Sequence, residues 1–391
     1  MPYQISPRVQ AGMLCLVTFL SACGGGSETP TPALSVSIAA PAAANQVFSL
    51  NTPIAVSARV TVNGASAPDG TTVNFSAPAG SFATTSTLTH GGTASTTLTA
   101  STPGKQTFTA TATLSGATGT SSQTVYVRQP PAPLEILVPA YFYPSAGGSD
   151  WNRMTASALA HPGLKFTAIL NPSNGIFNST EPRYLLAAQD FVGAGGRLLG
   201  YVYTRYGTGA RSVSDIKANI DRYLDLYGRS LISGIFLDEM AADPARIGFY
   251  REIYDHIQSR DPSLRILGNP GTVPAEGYAG VVDAVVTFEG TGAGYASYDP
   301  RQTADWLYSR PNSTQAMLAH NVMTCQAMQG IVATAATPLA NAGMVYATDR
   351  VFDYATGTGT GNPWATLPSY WTRLLETVEA INQGQALPGC P

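Results

Sequence analysis

The 391-residue sequence is poor in charge. Lys and Arg together number 21 and Asp and Glu 24, for a formal net charge of −3. That balance gives no footprint for a nucleic acid, which needs clustered basic side chains. Histidine is as sparse: His90, His161, His256 and His320 are scattered. No Cys/His constellation points to a metal, and no cofactor is implied. A G-x-S-x-G elbow is absent, which removes the signature of a serine hydrolase. The apolar stretch "AGMLCLVTFLSA", residues 11–22, is too short to span a bilayer as a helix.

That stretch follows Arg8 and reads as the core of an export signal. It ends in Leu20-Ser21-Ala22-Cys23, which resembles the lipobox of bacterial lipoproteins. The resemblance implies a signal peptide over 1–22, acylation of Cys23 and a membrane partner reached through that lipid. Residues 23–33, rich in Gly, Ser, Thr and Pro, form a flexible tether. Gly24 rather than Asp follows the cysteine, which by the lipoprotein rule favours outer-membrane over inner-membrane retention, at the cell surface or facing the periplasm. A plain secretory signal is the alternative. Cys15 leaves with the signal, so Cys325 and Cys390 remain. An even pair in an oxidising compartment is expected to form a disulfide; two free thiols are the alternative.

Residues 34–128 alternate apolar and polar side chains in short runs such as "PIAVSARVTV" and "KQTFTATATL". Asn63-Gly64, Asp69-Gly70 and Gly91-Gly92 punctuate them. The expected fold is an all-β sandwich. The order of its segments resembles bacterial Ig-like domains of the invasin/intimin kind, which implies a spacer or stalk without chemistry. A Pro-rich linker follows at 129–133. From 134 to 391 the texture changes to apolar runs separated by amphipathic segments. Eight strands are expected, at 135–141, 165–170, 197–203, 232–237, 264–269, 281–288, 314–320 and 343–348. Most gaps hold a helical period, as with Ile216, Ile220, Tyr223, Leu224 and Tyr227. Eight βα units in this length match an α/β TIM (β/α)8 barrel. An open doubly wound sheet is the rival, and it lacks a glycine-rich phosphate loop after the first strand.

In such a barrel the active site lies at the C-terminal ends of the strands. Those ends offer Tyr141 and Tyr143, then Asn171, then Tyr203, Thr204, Arg205 and Tyr206. Next come Asp238 and Glu239, Asn269, Glu289, His320, and finally Tyr346 and Asp349. Aromatic and amide side chains suit sugars, and Tyr141, Tyr203, Tyr206 and Trp364 are candidate stacking platforms. Asp238, Glu239 and Glu289 are the candidate catalytic acids, because glycoside hydrolysis uses two carboxylates. Neighbouring strand residues point to opposite sides. Asp238 and Glu239 therefore cannot both face the axis unless the chain leaves the strand between them. Asp238 could instead cap a helix or pair with an Arg, and each aromatic could simply pack.

"VPAYFYP", "ILNPSNG", "LLGYVYTRYGTGAR", "DIKANIDRYLDLY", "GIFLDEM", "LGNPGTVP" and "VVTFEG" occur in order. Together they resemble the spherulation-specific (spherulin-4) family of (β/α)8 glycoside hydrolases. The resemblance implies an endo-acting hydrolase of exopolysaccharide built from α-1,4-linked galactosamine or N-acetylgalactosamine. It also places the family's acidic pair on Asp238 and Glu239 and its later acid on Glu289. The loop "ILNPSNGIFNSTEP" departs from the family's "NPxxGPG" form, with Ile176 and Phe177 where Pro and Gly would stand. His320 rather than Glu ends the seventh strand. The expected protein is a monomer. The alternative is a non-catalytic glycan-binding lipoprotein or adhesin with a degenerate barrel.

Overall fold

The computed structural model describes residues 31–353, 358–359 and 361–391. The expected signal peptide, Cys23 and most of the tether lie outside the described residues.

The N-terminal region is two five-stranded sheets laid face to face. One runs Leu34–Ala40, Pro53–Val62, Thr93–Thr99, Ser81–Phe82, with Ala65–Ser66 paired to the second of these. The other runs Val47–Ser49, Ala117–Arg128, Gly104–Leu114, Thr72–Ser76, Ser86–Leu88. Period-two alternation turns one face of each strand inward. Val56, Val60 and Leu98 from the first sheet share one core with Val73, Phe108 and Val125 from the second.

This sandwich is seated on the second region. The Tyr126 hydroxyl donates to the Arg301 carbonyl at 2.6 Å, and the Arg301 guanidinium donates to the Asn45 carbonyl at 2.9 Å. Lys105 pairs with Asp305 at 3.3 Å, and the rings of Tyr126 and Tyr308 stand 4.9 Å apart.

The second region is a closed barrel of eight parallel strands. They are Glu135–Ala140, Lys165–Leu170, Arg197–Tyr203, Ile232–Asp238, Arg265–Gly268, Ala284–Thr291, Gln315–His320 and Met344–Ala347. Glu135 registers with Lys165 on one side and Met344 on the other, which closes the ring. The strands are almost wholly buried, with side chains packed inside and helices outside. Full helices follow six of the strands. After the fifth there is only a 3-10 turn at Glu276–Gly280, and after the sixth a short helix at Gly292–Ala296.

The sixth strand lies three residues later than its apolar run suggests. Val281 and Val282 pack in the preceding turn, and a bulge falls between Val286 and Phe288. An extra residue there re-aims the side chains beyond it, including Glu289.

The N-terminal floor is closed by an ion pair between the buried Glu135 and the partly buried Arg265. One Arg265 nitrogen reaches both Glu135 oxygens at 3.0 Å, and the Thr167 hydroxyl also donates to Glu135. Cys325, at the start of the helix Cys325–Ala336, is disulfide-bonded to Cys390, with Cα atoms 5.7 Å apart.

Candidate active site

The fourth strand ends at Asp238, and strand alternation would send Glu239 away from the mouth. The backbone prevents that. Glu239 has a φ of 49°, in the left-handed region that a non-glycine residue seldom occupies. The chain leaves the strand there, so both acids face the same opening. The departure is held by neighbours. The Thr204 hydroxyl donates to the carbonyls of Asp238 and Glu239, and the Tyr206 amide donates to the Glu239 carbonyl at 2.6 Å. Ser173, Asn174, Arg205, Tyr206 and Asn321, all just beyond strand ends, share the left-handed conformation. Such strain at one end of a rigid barrel is what a functional rim tolerates.

Asn269, just past the fifth strand, sits between two carboxylates. Its amide nitrogen donates to Asp238 Oδ1 at 2.8 Å and to Glu289 Oε2 at 2.7 Å. Both bonds start at one nitrogen, so the accepting oxygens lie no more than about 5.5 Å apart. The Tyr201 hydroxyl donates to the other Asp238 oxygen at 2.7 Å, and Trp364 Nε1 donates to Glu289 Oε1 at 3.3 Å.

Burial raises the proton affinity of the Asp238 carboxyl, against the opposing pull of the Tyr201 and Asn269 donors. Burial first, then the charge of Asp238, pushes the Tyr201 phenol far above its ordinary range, so it stays a donor. Tyr141 is raised in the same way.

Two hollows meet at this pair, and Asp238, Asn269 and Glu289 line both. One, of about 430 Å³, is completed by Tyr206, Glu239, Pro270 and Gly271. The other, of about 310 Å³, is walled by Tyr141, Tyr201, Leu318, Phe352 and Trp364, with Asn171, Asn174 and Asn362 at its edge.

Asp238, Glu239, Glu289, Asn269, Tyr141, Asn171, Tyr206 and Trp364 are thus brought together. Arg205 stands at the margin, 3.7 Å from Glu239. The other expected contacts lie elsewhere. Tyr143 is exposed and donates to Glu181 at 3.1 Å, edge-on to Tyr184. The Tyr203 ring lies under the guanidiniums of Arg211 and Arg205, at 4.2 and 5.3 Å. His320 and Tyr346 are fully buried behind Trp364, with ring centres 6.1 and 5.9 Å from it. Burial lowers the proton affinity of the His320 imidazole. Asp349 accepts from the Ser369 amide at 3.2 Å. These residues stand behind the cavity wall or beside it; Tyr203, His320 and Tyr346 still belong to their strands, and Tyr143 and Asp349 lie beyond theirs.

Tyr201 is the residue the strand-end reading missed. It lies inside the third strand, two positions before its end, where a strand-end reading does not look. Phe352, Asn362, Leu318 and Pro270 gave no signal either. Among the described residues no group of three His, Cys, Asp or Glu side chains could hold a metal ion, and no helix is long and apolar enough to cross a membrane.

Comparison with known proteins adds a family. The model of the spherulation-specific family 4 matches residues 135–378. The chain belongs to this family. Spherulin-4 of Physarum polycephalum is 34% identical over 259 residues, covering 64% of this chain and 71% of the relative. The crystal structure of Aspergillus clavatus Sph3 in complex with GalNAc aligns with a TM-score of 0.51 and 24% identity, over 63% of this chain and 97% of that one. That likeness concerns the barrel fold.

In the loop that departs from the spherulin-4 pattern, Phe177 packs edge-on against Tyr223 and Tyr227, at 4.8 and 5.7 Å, outside the cavity. Ile176 is exposed. Asn171 and Asn174 alone carry that loop into the hollow.

Proposed function

We propose that this chain is an endo-acting glycoside hydrolase of α-1,4-linked galactosamine and N-acetylgalactosamine exopolysaccharide, held at the bacterial surface by a lipid on Cys23. The observation that carries the reading is the Asn269 bridge, which holds the Asp238 and Glu289 carboxylates about one sugar's width apart. Membership in spherulation-specific family 4 and the likeness of the barrel to a GalNAc-bound Sph3 support the substrate class.

Oxygens no more than about 5.5 Å apart are closer than the roughly 6.5–9.5 Å of inverting glycosidases and favour the retaining arrangement, where the two carboxyl groups are about 5–5.5 Å apart. Asp238, whose proton affinity burial raises, gives its proton to the leaving glycosidic oxygen. Glu289 attacks the anomeric carbon and forms a glycosyl ester. Asp238, now ionised, takes a proton from water, and that water releases the sugar from Glu289. Glu239 stands outside this couple and faces the bound chain. Trp364 fixes Glu289 through its indole N–H and offers its ring to a sugar face. The sandwich is read as an Ig-like spacer, and the protein acts as a monomer.

The test is digestion of galactosamine, galactosaminogalactan and glucosamine polymers, with mass spectrometry of the products. Internal cuts in the galactosamine polymers, lost in Asp238→Asn and Glu289→Gln by at least roughly a thousandfold, support the reading. Azide added to Glu289→Ala should give a glycosyl azide of inverted configuration. Oligosaccharide binding that is equal in wild type and Glu289→Gln, with no reducing ends released by either, would establish a glycan-binding adhesin instead. For the anchor, Cys23→Ala should abolish incorporation of labelled fatty acid.

A further inference from the structure

The carboxylate pair separates two hollows of unlike chemistry, and we propose that the cleft thereby reads acetylation. The hollow at Glu239 takes a sugar with a free ammonium, and the hollow at Trp364 takes an N-acetylated one. The inference deepens the hydrolase reading above and takes its substrate class from it.

Glu239 is the one acid of the cleft that Asn269 does not hold. Its Oε2 is buried and accepts no hydrogen bond among the described residues. Its ion-pair partner is Arg205, whose Nε lies 3.7 Å away, beyond hydrogen-bonding distance. The Arg205 side chain is 57% exposed and free to swing aside at little cost. A half-buried carboxylate without donors is costly to leave unpaired. An ammonium on a bound amino sugar supplies both the charge and the donors. An acetamide in the same place supplies no charge and leaves the carboxylate poorly solvated.

The opposite hollow reverses these terms. Trp364, Leu318 and Phe352 present apolar surface of a size that suits an acetyl methyl. Asn171 Oδ1 is buried there and accepts no hydrogen bond, which makes it an acceptor for an acetamide N–H. An ammonium pressed against that wall would lose water and find only Asp238 and Glu289, both already held by Asn269, with no third carboxylate left for it.

The experiment uses the full chain and three α-1,4-linked galactosamine hexasaccharides: fully acetylated, fully deacetylated and half acetylated. The half-acetylated one should be cut fastest. The two ends created at each cut should carry unlike nitrogen groups, one amine and one acetamide, always in the same order along the chain. Glu239→Gln should slow the half-acetylated hexamer roughly fivefold more than the fully acetylated one, and Arg205→Ala should move the ratio the other way. Ends that follow the acetylation of the substrate at random overturn the proposal. So does a Glu239→Gln variant slowed equally on all three, which is the result for a purely catalytic or structural Glu239.

Calorimetric binding of the same hexamers to Glu289→Gln separates this inference from the hydrolase reading. If nothing is hydrolysed but the half-acetylated hexamer binds tightest, and adding Glu239→Gln erases that preference, the hydrolase reading falls and this one stands. Hydrolysis without any bias in the new ends leaves the reverse.

Discussion

Asn269→Leu isolates the contribution of the bridging amide. Leucine has the branched shape of asparagine and no donors, so the change removes the hydrogen bonds while adding some side-chain volume. Two charge-assisted bonds disappear, one to Asp238 and one to Glu289. Each stabilises the ionised form of its acceptor by about 1.5–3 kcal/mol. Two full charges about 5.5 Å apart also repel by about 3 kcal/mol at an effective dielectric near 20. The last proton of the pair leaves two adjacent anions behind, so its loss suffers most when the bridge is gone. The alkaline limb of kcat/KM should therefore move up by about one to two pH units, and the acid limb by less. The assay is the pH–rate profile on a soluble N-acetylgalactosamine oligosaccharide, with the fold checked by circular dichroism. A fall in rate with both limbs unmoved refutes the reasoning. Asn269 would then act only through Oδ1, which accepts from the Gly271 amide at 3.0 Å.

Asp238→Asn tests the buried carboxyl through stability. Its proton affinity is raised in the fold, so the wild-type contribution is complete at acid pH and is lost as pH rises through the raised value. The Asn variant should be more stable than wild type near neutrality and indistinguishable at pH about 3, read from Tm at both pH values. Arg265→Met strands the Glu135 carboxylate on the barrel floor and should cost about 3–5 kcal/mol in denaturant unfolding, whereas the double variant Glu135→Leu/Arg265→Met should regain most of that loss. Reducing the Cys325–Cys390 disulfide opens a 65-residue separation and should cost about 4 kcal/mol, measured as the shift of a urea midpoint with and without reductant. Trp364→Phe keeps an aromatic ring, though a smaller one, and loses the indole N–H to Glu289 at 3.3 Å; kcat should fall while KM changes little, and an unchanged kcat would show the bond to be idle.

The eight strands were legible in the sequence because barrel strands buried on both faces must be apolar throughout, and runs such as "GIFL" and "LLGYVY" carry that demand locally. Asp238, Glu239 and Glu289 were legible for a related reason. An ionisable group at the end of an apolar run is costly to bury, and position along a strand fixes which end of the barrel it occupies. Tyr143, Tyr203, His320, Tyr346 and Asp349 sit at strand ends too, yet none of them lines the cavities. Strand-end position fixes height along the barrel axis but not the direction in which a side chain faces. That direction came from left-handed turns at Glu239 and Tyr206 and from a bulge before Glu289. The pairing of Asp238 with Glu289 through Asn269 joins the ends of the fourth, fifth and sixth strands, which parallel pairing sets side by side. Composition and periodicity thus determined which elements form and which carry acids. Which two acids face each other was decided by the tertiary structure, because their separation depends on three strands packed side by side, on the turn at Glu239 and on the bulge before Glu289.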